Sequence, residues 1–150
     1  MMELKDQVVF ISGSSRGLGA RMAVRFAAEG CKVILNGRKA IPDELIDQIN
    51  EYGVQYATVL GDISRAEDVK RMTKEAFDAF GRIDILVNNA GHGTVQGGLA
   101  HVNMLDEFDK IMRLNVRTVV ELTQLAMPHL EKTGGNIINI SSISSMMPVS

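Results

Sequence analysis

This chain of 150 residues has one cysteine, no block of like charge and no long apolar run, and each lack removes a class of function. Cys31 has no second cysteine to pair with, so no internal disulfide can form. Its place at the start of an apolar stretch predicts a buried, inert thiol rather than a redox centre. Lysine and arginine (16) nearly balance aspartate and glutamate (18), leaving a net charge of −2 with both signs spread along the chain. No basic block points to nucleic acid, and no acidic tail points to disorder. Met1-Met2-Glu3-Leu4-Lys5-Asp6 is polar and leads into only four consecutive apolar residues, Val8 to Ile11, too few for a secretory signal. No stretch approaches a membrane span. The three histidines, His92, His101 and His129, have no metal-ligand spacing, and the latter two are expected on the surface or in loops. A reducing, cytoplasmic setting is the expectation.

What is present is ordinary for a globular protein: 45% hydrophobic and 23% charged residues, in a length that suits one domain, 1–150. Apolar, β-rich runs recur at 8–12, 32–36, 55–60, 83–88 and 136–141. They are apolar on both faces, as in a parallel sheet covered by helices on both sides. The segments between them carry helix punctuation. The first, 17–29, stops at Gly30. The second has Pro42 near its start and Leu45, Ile46 and Ile49 on one face. The third opens with Ser64-Arg65-Ala66-Glu67, which has capping-box spacing. It carries the stripe Val69, Met72, Ala76, Phe77 and Phe80, and closes at Gly81. The fourth reads as one helix from about 106 to 130, before Gly134-Gly135 turn into the last strand. This alternation demands right-handed crossovers and a parallel sheet. There is no internal repeat, low-complexity tract or linker. The longest irregular stretch, 90–105, follows the fourth strand, where open α/β sheets bind ligands.

Gly13-Ser14-Ser15-Arg16-Gly17-Leu18-Gly19 joins the first strand to the first helix. Gly13 permits a tight turn, Gly17 lets the backbone approach a pyrophosphate, and Gly19 lets helix and strand pack closely. The helix start then offers N–H groups and partial positive charge to phosphates. A glycine-rich turn without ligand is the alternative; the strand before, the helix after and the alternating domain behind favour a dinucleotide. Asn115 also stands out. It shares an apolar helical face with Phe108, Ile111, Met112, Val119 and Leu122, so burial is expected. A buried amide must find partners, either as structural glue or in a site.

With Ser12-Gly13 through Gly19, Asp62-Ile63, Asn88-Asn89-Ala90-Gly91, Asn115 and Asn139-Ile140-Ser141-Ser142, all in order, the chain resembles the N-terminal portion of the short-chain dehydrogenase/reductase family. Within that family it resembles the 3-oxoacyl-acyl-carrier-protein reductase-like members. Ser12 stands where the family usually has Thr, which keeps a hydroxyl. The resemblance implies an α/β, Rossmann-type doubly wound parallel sheet with five strands in order 3-2-1-4-5, the family's last two strands lying beyond. It places Asp62 and Ile63 against an adenine ring, and has Asn89, Ala90 and Gly91 line the cofactor cleft. Asn115 becomes the amide that holds a water in a proton relay. Ser142 becomes the catalytic serine that hydrogen-bonds the substrate oxygen, with Ser141 its structural neighbour. Ser144 and Ser145 make that loop ambiguous, since Ser145 replaces a usual Gly. His92 stands where the family often has an apolar residue, and the family chemistry does not use it.

Cofactor choice turns on two arginines. NAD-binding relatives put an acidic residue near the end of the second strand. Here Gly37 occupies that place and Arg38 follows, while Arg16 lies in the glycine loop. Two guanidinium groups without a carboxylate suit a 2′-phosphate, so NADP(H) is favoured over NAD(H); two solvated surface arginines are the alternative.

The family chemistry also needs a Tyr-x-x-x-Lys pair, expected near position 155. The only tyrosines here are Tyr52 and Tyr56, followed four residues on by Tyr56 and Leu60. The expected function is therefore an NADP(H)-dependent oxidoreductase interconverting a carbonyl and an alcohol, present as an N-terminal part inactive alone. Its fifth strand would be an open apolar edge. A non-catalytic NADP(H)-binding or regulatory module is the alternative. A methyltransferase-type domain also has a glycine loop, but Asn88 to Gly91 and the Ser-Ser segment argue against it. A small-molecule substrate and, for the parent enzyme, a homo-oligomer through the fourth helix are the expected partners. Met146-Met147-Pro148 would give an adaptable apolar wall to the substrate pocket.

Overall fold

In the computed structural model, residues 4–93 and 103–143 are described. The elements run β1 (Val8–Ile11), α1 (Gly17–Ala28), β2 (Lys32–Gly37), α2 (Asp43–Asn50), β3 (Tyr56–Leu60), α3 (Ala66–Phe80), β4 (Ile85–Asn88), α4 (Met104–Met112), a π-turn (Arg113–Arg117), α5 (Thr118–Thr133) and β5 (Asn136–Asn139). The five strands form one parallel sheet in the order β3-β2-β1-β4-β5. This is the expected doubly wound α/β, Rossmann-type arrangement.

Alternation along the central strands builds two cores. Val8 and Phe10 of β1 face α3 and α5, joining Met72, Ala76, Leu122 and Ala126. Val9 and Ile11 face α1 and α2, joining Ala23, Ala27, Leu45 and Ile49. All four β1 side chains are fully buried, and each such burial contributes roughly 1.5–3 kcal/mol relative to exposure. The expected stripe on α3 holds, with Val69, Met72 and Ala76 buried and Phe77 and Phe80 packed beside them. Cys31 is buried, its thiol raised to about 11 chiefly by burial, with Glu29 and Asp84 adding to the rise.

Five local expectations are corrected. The fourth helix is not continuous: a π-turn interrupts it, because its hydrogen bonds close one residue late. That insertion rotates everything after it by about 100°, so a face drawn at constant helical period no longer lines up. Of that face only Leu122 is buried; Phe108 and Met112 are exposed, and no residue of α4 is buried. Asn115, expected in the interior, is exposed, in a π-turn of which no residue is buried, with its carboxamide bonded to the His92 backbone. The capping box at Ser64 is not formed, since the helix begins at Ala66 without a side-chain cap and the Ser64 hydroxyl turns back to Asp62. β5 lies at the open sheet edge expected of it, pairing only with β4 among the described residues, but it is not covered on both faces: Asn136, Ile138 and Asn139 are exposed. His129 is not a surface or loop residue. It lies half-buried in α5 with its ring stacked on Phe77 at 4.0 Å. His101 and residues 144–148 lie outside the described residues.

Candidate active site

The glycine loop is held from two sides before any ligand is considered. From β2, the Asn36 carboxamide oxygen accepts from Gly13 N at 2.9 Å, and the Asn36 carbonyl accepts from Ser14 N at 2.9 Å. Asn36 N donates to the Ser14 hydroxyl, which donates to Ile11 O, each at 2.9 Å. The Asn36 amide nitrogen then reaches Val59 O of β3 and Met72 Sδ, each at 3.1 Å. Every polar atom of this buried residue that faces the loop is satisfied. Sequence reading missed Asn36. The available signal was an amide ending an apolar strand beside the one that feeds the glycine loop.

From β4, Asn89 N and Ala90 N donate to the buried Ser12 hydroxyl at 2.9 and 3.0 Å. The Asn89 amide nitrogen donates to Ser12 O at 2.9 Å and Gly13 O at 3.1 Å. Gly13 adopts φ +61°, and a Cβ there would lie 3.0 Å from Ala90 Cα. Gly19 packs tighter still, with its missing Cβ 2.5 Å from both Asn89 Nδ2 and Gly13 O. At Gly17 a Cβ would meet open space. The tight turn expected at Gly13 and the close packing expected at Gly19 are thus visible as geometry. α1 opens from Arg16 with no side-chain cap and no acidic residue in its first turn, so its N-terminal field is uncompensated from within the helix.

Asp62 lies after β3. Its carboxylate accepts from the Ser64 hydroxyl at 2.7 Å and Ser64 N at 3.0 Å. These bonds hold its pKa below the usual carboxylate value, with the Arg38 charge assisting. Asp62 N in turn donates to Asp68 Oδ2 at 2.8 Å. The Ile63 side chain belongs to the core rather than the surface. Arg16 and Arg38 are exposed and form no ion pair among the described residues. Gly37 is buried, and a side chain there would meet Ile41 Cδ1 at 3.0 Å and Ser15 Cβ at 3.1 Å. Leu18 is exposed.

Asn115 sits inside the π-turn, an insertion that recurs at functional sites. Its carboxamide makes a reciprocal pair with the backbone of His92: His92 N donates to Oδ1 and Nδ2 donates to His92 O, each at 2.9 Å. Gly91 lies against it, with a Cβ there 3.5 Å from Asn115 Oδ1. Asn88 donates to Thr123 Oγ1 at 3.1 Å and Asn139 Oδ1 at 2.8 Å, and Ile140 N donates to Asn88 O at 2.9 Å. Ser142 lies three residues past the end of β5 and is exposed at the same end of the sheet.

The glycine loop, Arg38, Asp62, Asn89 to Gly91, Asn115 and Ser142 therefore all lie at the carboxyl ends of the strands. Direct contacts run from Gly19 to Asn89, from Gly13 to Ala90 and from Gly91 to Asn115. No group of three or more metal-ligating side chains occurs among the described residues, and no described helix is long and apolar enough to cross a membrane.

Comparison with known proteins places the fold in a family. The family model described as short chain dehydrogenase matches residues 7–150. A Thermotoga maritima protein described as an uncharacterized oxidoreductase is 35% identical over 99% of this chain and 58% of its own length. The apo glucose dehydrogenase of Caenorhabditis elegans superposes with TM-score 0.81 and 37% identity over 95% of this chain and 57% of its own. An NADH-dependent reductase, A1-R', complexed with NAD, superposes with TM-score 0.85 and 31% identity over 95% of this chain and 62% of its own. The chain thus spans about three-fifths of the proteins it matches.

Proposed function

Because the chain belongs to the short-chain dehydrogenase/reductase family, we propose that it forms the cofactor-binding part of an NADP(H)-dependent oxidoreductase that interconverts a carbonyl and an alcohol. The observation that carries this reading is the seam in which Gly13 and Gly19 close against Asn89 and Ala90 beside an uncapped helix start. The fit to a dinucleotide is chemical as well as spatial. The helix start faces the loop without a carboxylate, which suits a pyrophosphate. Residues Gly13 to Gly19 hold the phosphates, Asp62 and the backbone of Ile63 border the adenine, and Asn89, Ala90 and Gly91 line the cleft.

NADP(H) is preferred over NAD(H) because Arg16 and Arg38 are exposed and free of ion pairs among the described residues, while Gly37 brings no carboxylate. When bound, the cofactor supplies or accepts hydride. This chain's own contribution at the reacting end is positional: Ser142 hydrogen-bonds the substrate oxygen, and Asn115 orders the loop at His92 and a water of the proton relay.

Neither tyrosine here has a lysine four residues on. These 150 residues by themselves therefore bind cofactor without turnover. The exposed apolar residues Phe108, Met112, Val116 and Val120 form the face that packs against a second subunit in the assembled enzyme. The setting is cytosolic, in keeping with a lone thiol. The test is an NADPH titration followed by an NADPH-oxidation assay against a panel of carbonyl compounds. Micromolar binding without oxidation is expected. Oxidation that disappears in Ser142→Ala overturns the claim of inactivity, and absence of binding overturns the cofactor reading.

A further inference from the structure

We propose that Arg113 is a positioning residue that fixes the separation of the two ends of the cofactor cleft, tying the π-turn that carries Asn115 to the loop that carries Asp62. The proposal rests on the cofactor reading above and adds to it a residue that neither composition nor motif singled out.

β3 and β4 are not neighbours in the sheet; β2 and β1 lie between them. The loops that follow them are therefore about three strand spacings apart, roughly 14 Å, and no single ladder of hydrogen bonds sets their relative position. The π-turn spans that gap. At its start, Arg113 Nε donates to Ser64 O at 2.6 Å. Just past its end, the Thr118 hydroxyl lies 3.0 Å from Ile63 O and 2.9 Å from Arg113 O. From its middle, Asn115 holds both backbone atoms of His92. One turn of helix thus grips the loop after β3 on one side and the loop after β4 on the other.

The π geometry is what makes this double grip reachable. In a regular α-helix, residues five apart point about 140° away from each other. A π-turn closes its hydrogen bonds over five residues and so brings them closer to one side of the helix. Arg113 and Thr118, five apart, both face the 63–64 carbonyls. The guanidinium is itself aimed by Glu121, whose Oε1 accepts from Arg113 Nη1 at 2.7 Å and from Arg117 Nε at 3.0 Å. The Glu121 pKa is lowered by the hydrogen bond from Arg113 first and that from Arg117 after it, against the opposing effect of burial. Both members of the Arg113–Glu121 pair are about three-quarters shielded, at 25% and 23% side-chain exposure. A planar fork can serve a carbonyl and a carboxylate in two fixed directions, which an ammonium cannot.

A residue that sets the spacing between half-sites acts on a ligand spanning both, and leaves a ligand confined to one half alone. The experiment compares NADPH with adenosine 2′,5′-bisphosphate, which carries only the adenosine half, by calorimetric titration of the 150-residue chain and its Arg113→Met and Arg113→Lys variants. The expected result is NADPH weakened about tenfold or more in both variants, with the adenosine bisphosphate within about twofold of the parent. Equal loss for both ligands, no loss for either, or full rescue by Arg113→Lys overturns the proposal while leaving the cofactor reading intact. A parent chain that binds neither ligand overturns both. If Arg113→Met does not fold, Glu121→Gln, which keeps the shape and weakens the aim of the guanidinium, must show the same split at smaller size; equal loss there counts against the proposal.

Discussion

Gly19 and Asn89 share a space that admits no further atom: a Cβ on Gly19 would lie 2.5 Å from the Asn89 amide nitrogen, the same atom that binds Ser12 O and Gly13 O. The start of α1 and the end of β4 are therefore fitted to each other through a missing side chain.

Gly19→Ala is expected to push Asn89 off the glycine loop. Overpacking of this kind costs about 1–3 kcal/mol, and the displaced amide adds to it. Thermal unfolding should show a lowered midpoint, and NADPH titration should show weakened binding. An unchanged midpoint with unchanged affinity would show that the seam is not tight.

Ser12→Ala removes the one acceptor that serves both Asn89 N and Ala90 N. Buried donors left without a partner cost about 1–3 kcal/mol. Ser12→Thr keeps the hydroxyl and is expected to stay close to the parent. Urea denaturation of the three proteins checks the order parent, then Thr, then Ala.

Arg16→Ala and Arg38→Ala are each expected to weaken NADPH by roughly tenfold to a hundredfold, the equivalent of about 1.5–3 kcal/mol, and to leave NADH nearly unchanged. Parallel titrations with the two cofactors decide this, and equal losses on both would sink the 2′-phosphate assignment. Gly37→Asp should not give a clean switch to NADH. Its side chain meets Ser15 Cβ at 3.1 Å and Ile41 Cδ1 at 3.0 Å, so the loop must shift and both cofactors lose.

His129 supplies a pH dependence of stability. Burial holds its pKa below the ordinary 6.5, with Lys132 adding to the shift. The unfolded chain then takes up the proton first. The stability this neutral ring contributes is whole above 6.5 and is lost as pH falls through that value toward the folded one. Denaturation midpoints of the parent should drop between about pH 7.5 and about pH 5. His129→Phe, which keeps the stack on Phe77, should flatten that part of the profile; an identical drop would assign it to other groups.

Much of this site could be read without coordinates because its signals are local. The Gly13 to Gly19 spacing follows from a strand turning into a helix, and that is where the loop lies. The alternation of apolar runs required a parallel sheet, and the resemblance supplied its order, which the ladders reproduce. Other features escaped because their causes are distant in the chain. The Ser64 hydroxyl had capping-box spacing, but Asp62 two residues earlier competes for it and wins. Asn36 looked like the end of a strand until Gly13 N, 23 residues earlier, was found to donate to it.

The sequence by itself determined the class of fold, the place of the glycine loop and the residue types available to hold phosphate, because turn chemistry and hydrophobic period act over a few residues. Only the tertiary structure decided how the loops meet. A constant helical period carried Asn115 into the interior, whereas in the π-turn it is exposed, with its carboxamide bonded to the His92 backbone. That insertion is favoured by Arg113 and Thr118 bonding to carbonyls some 50 residues away in the chain. Partners that far apart are chosen by packing, not by spacing.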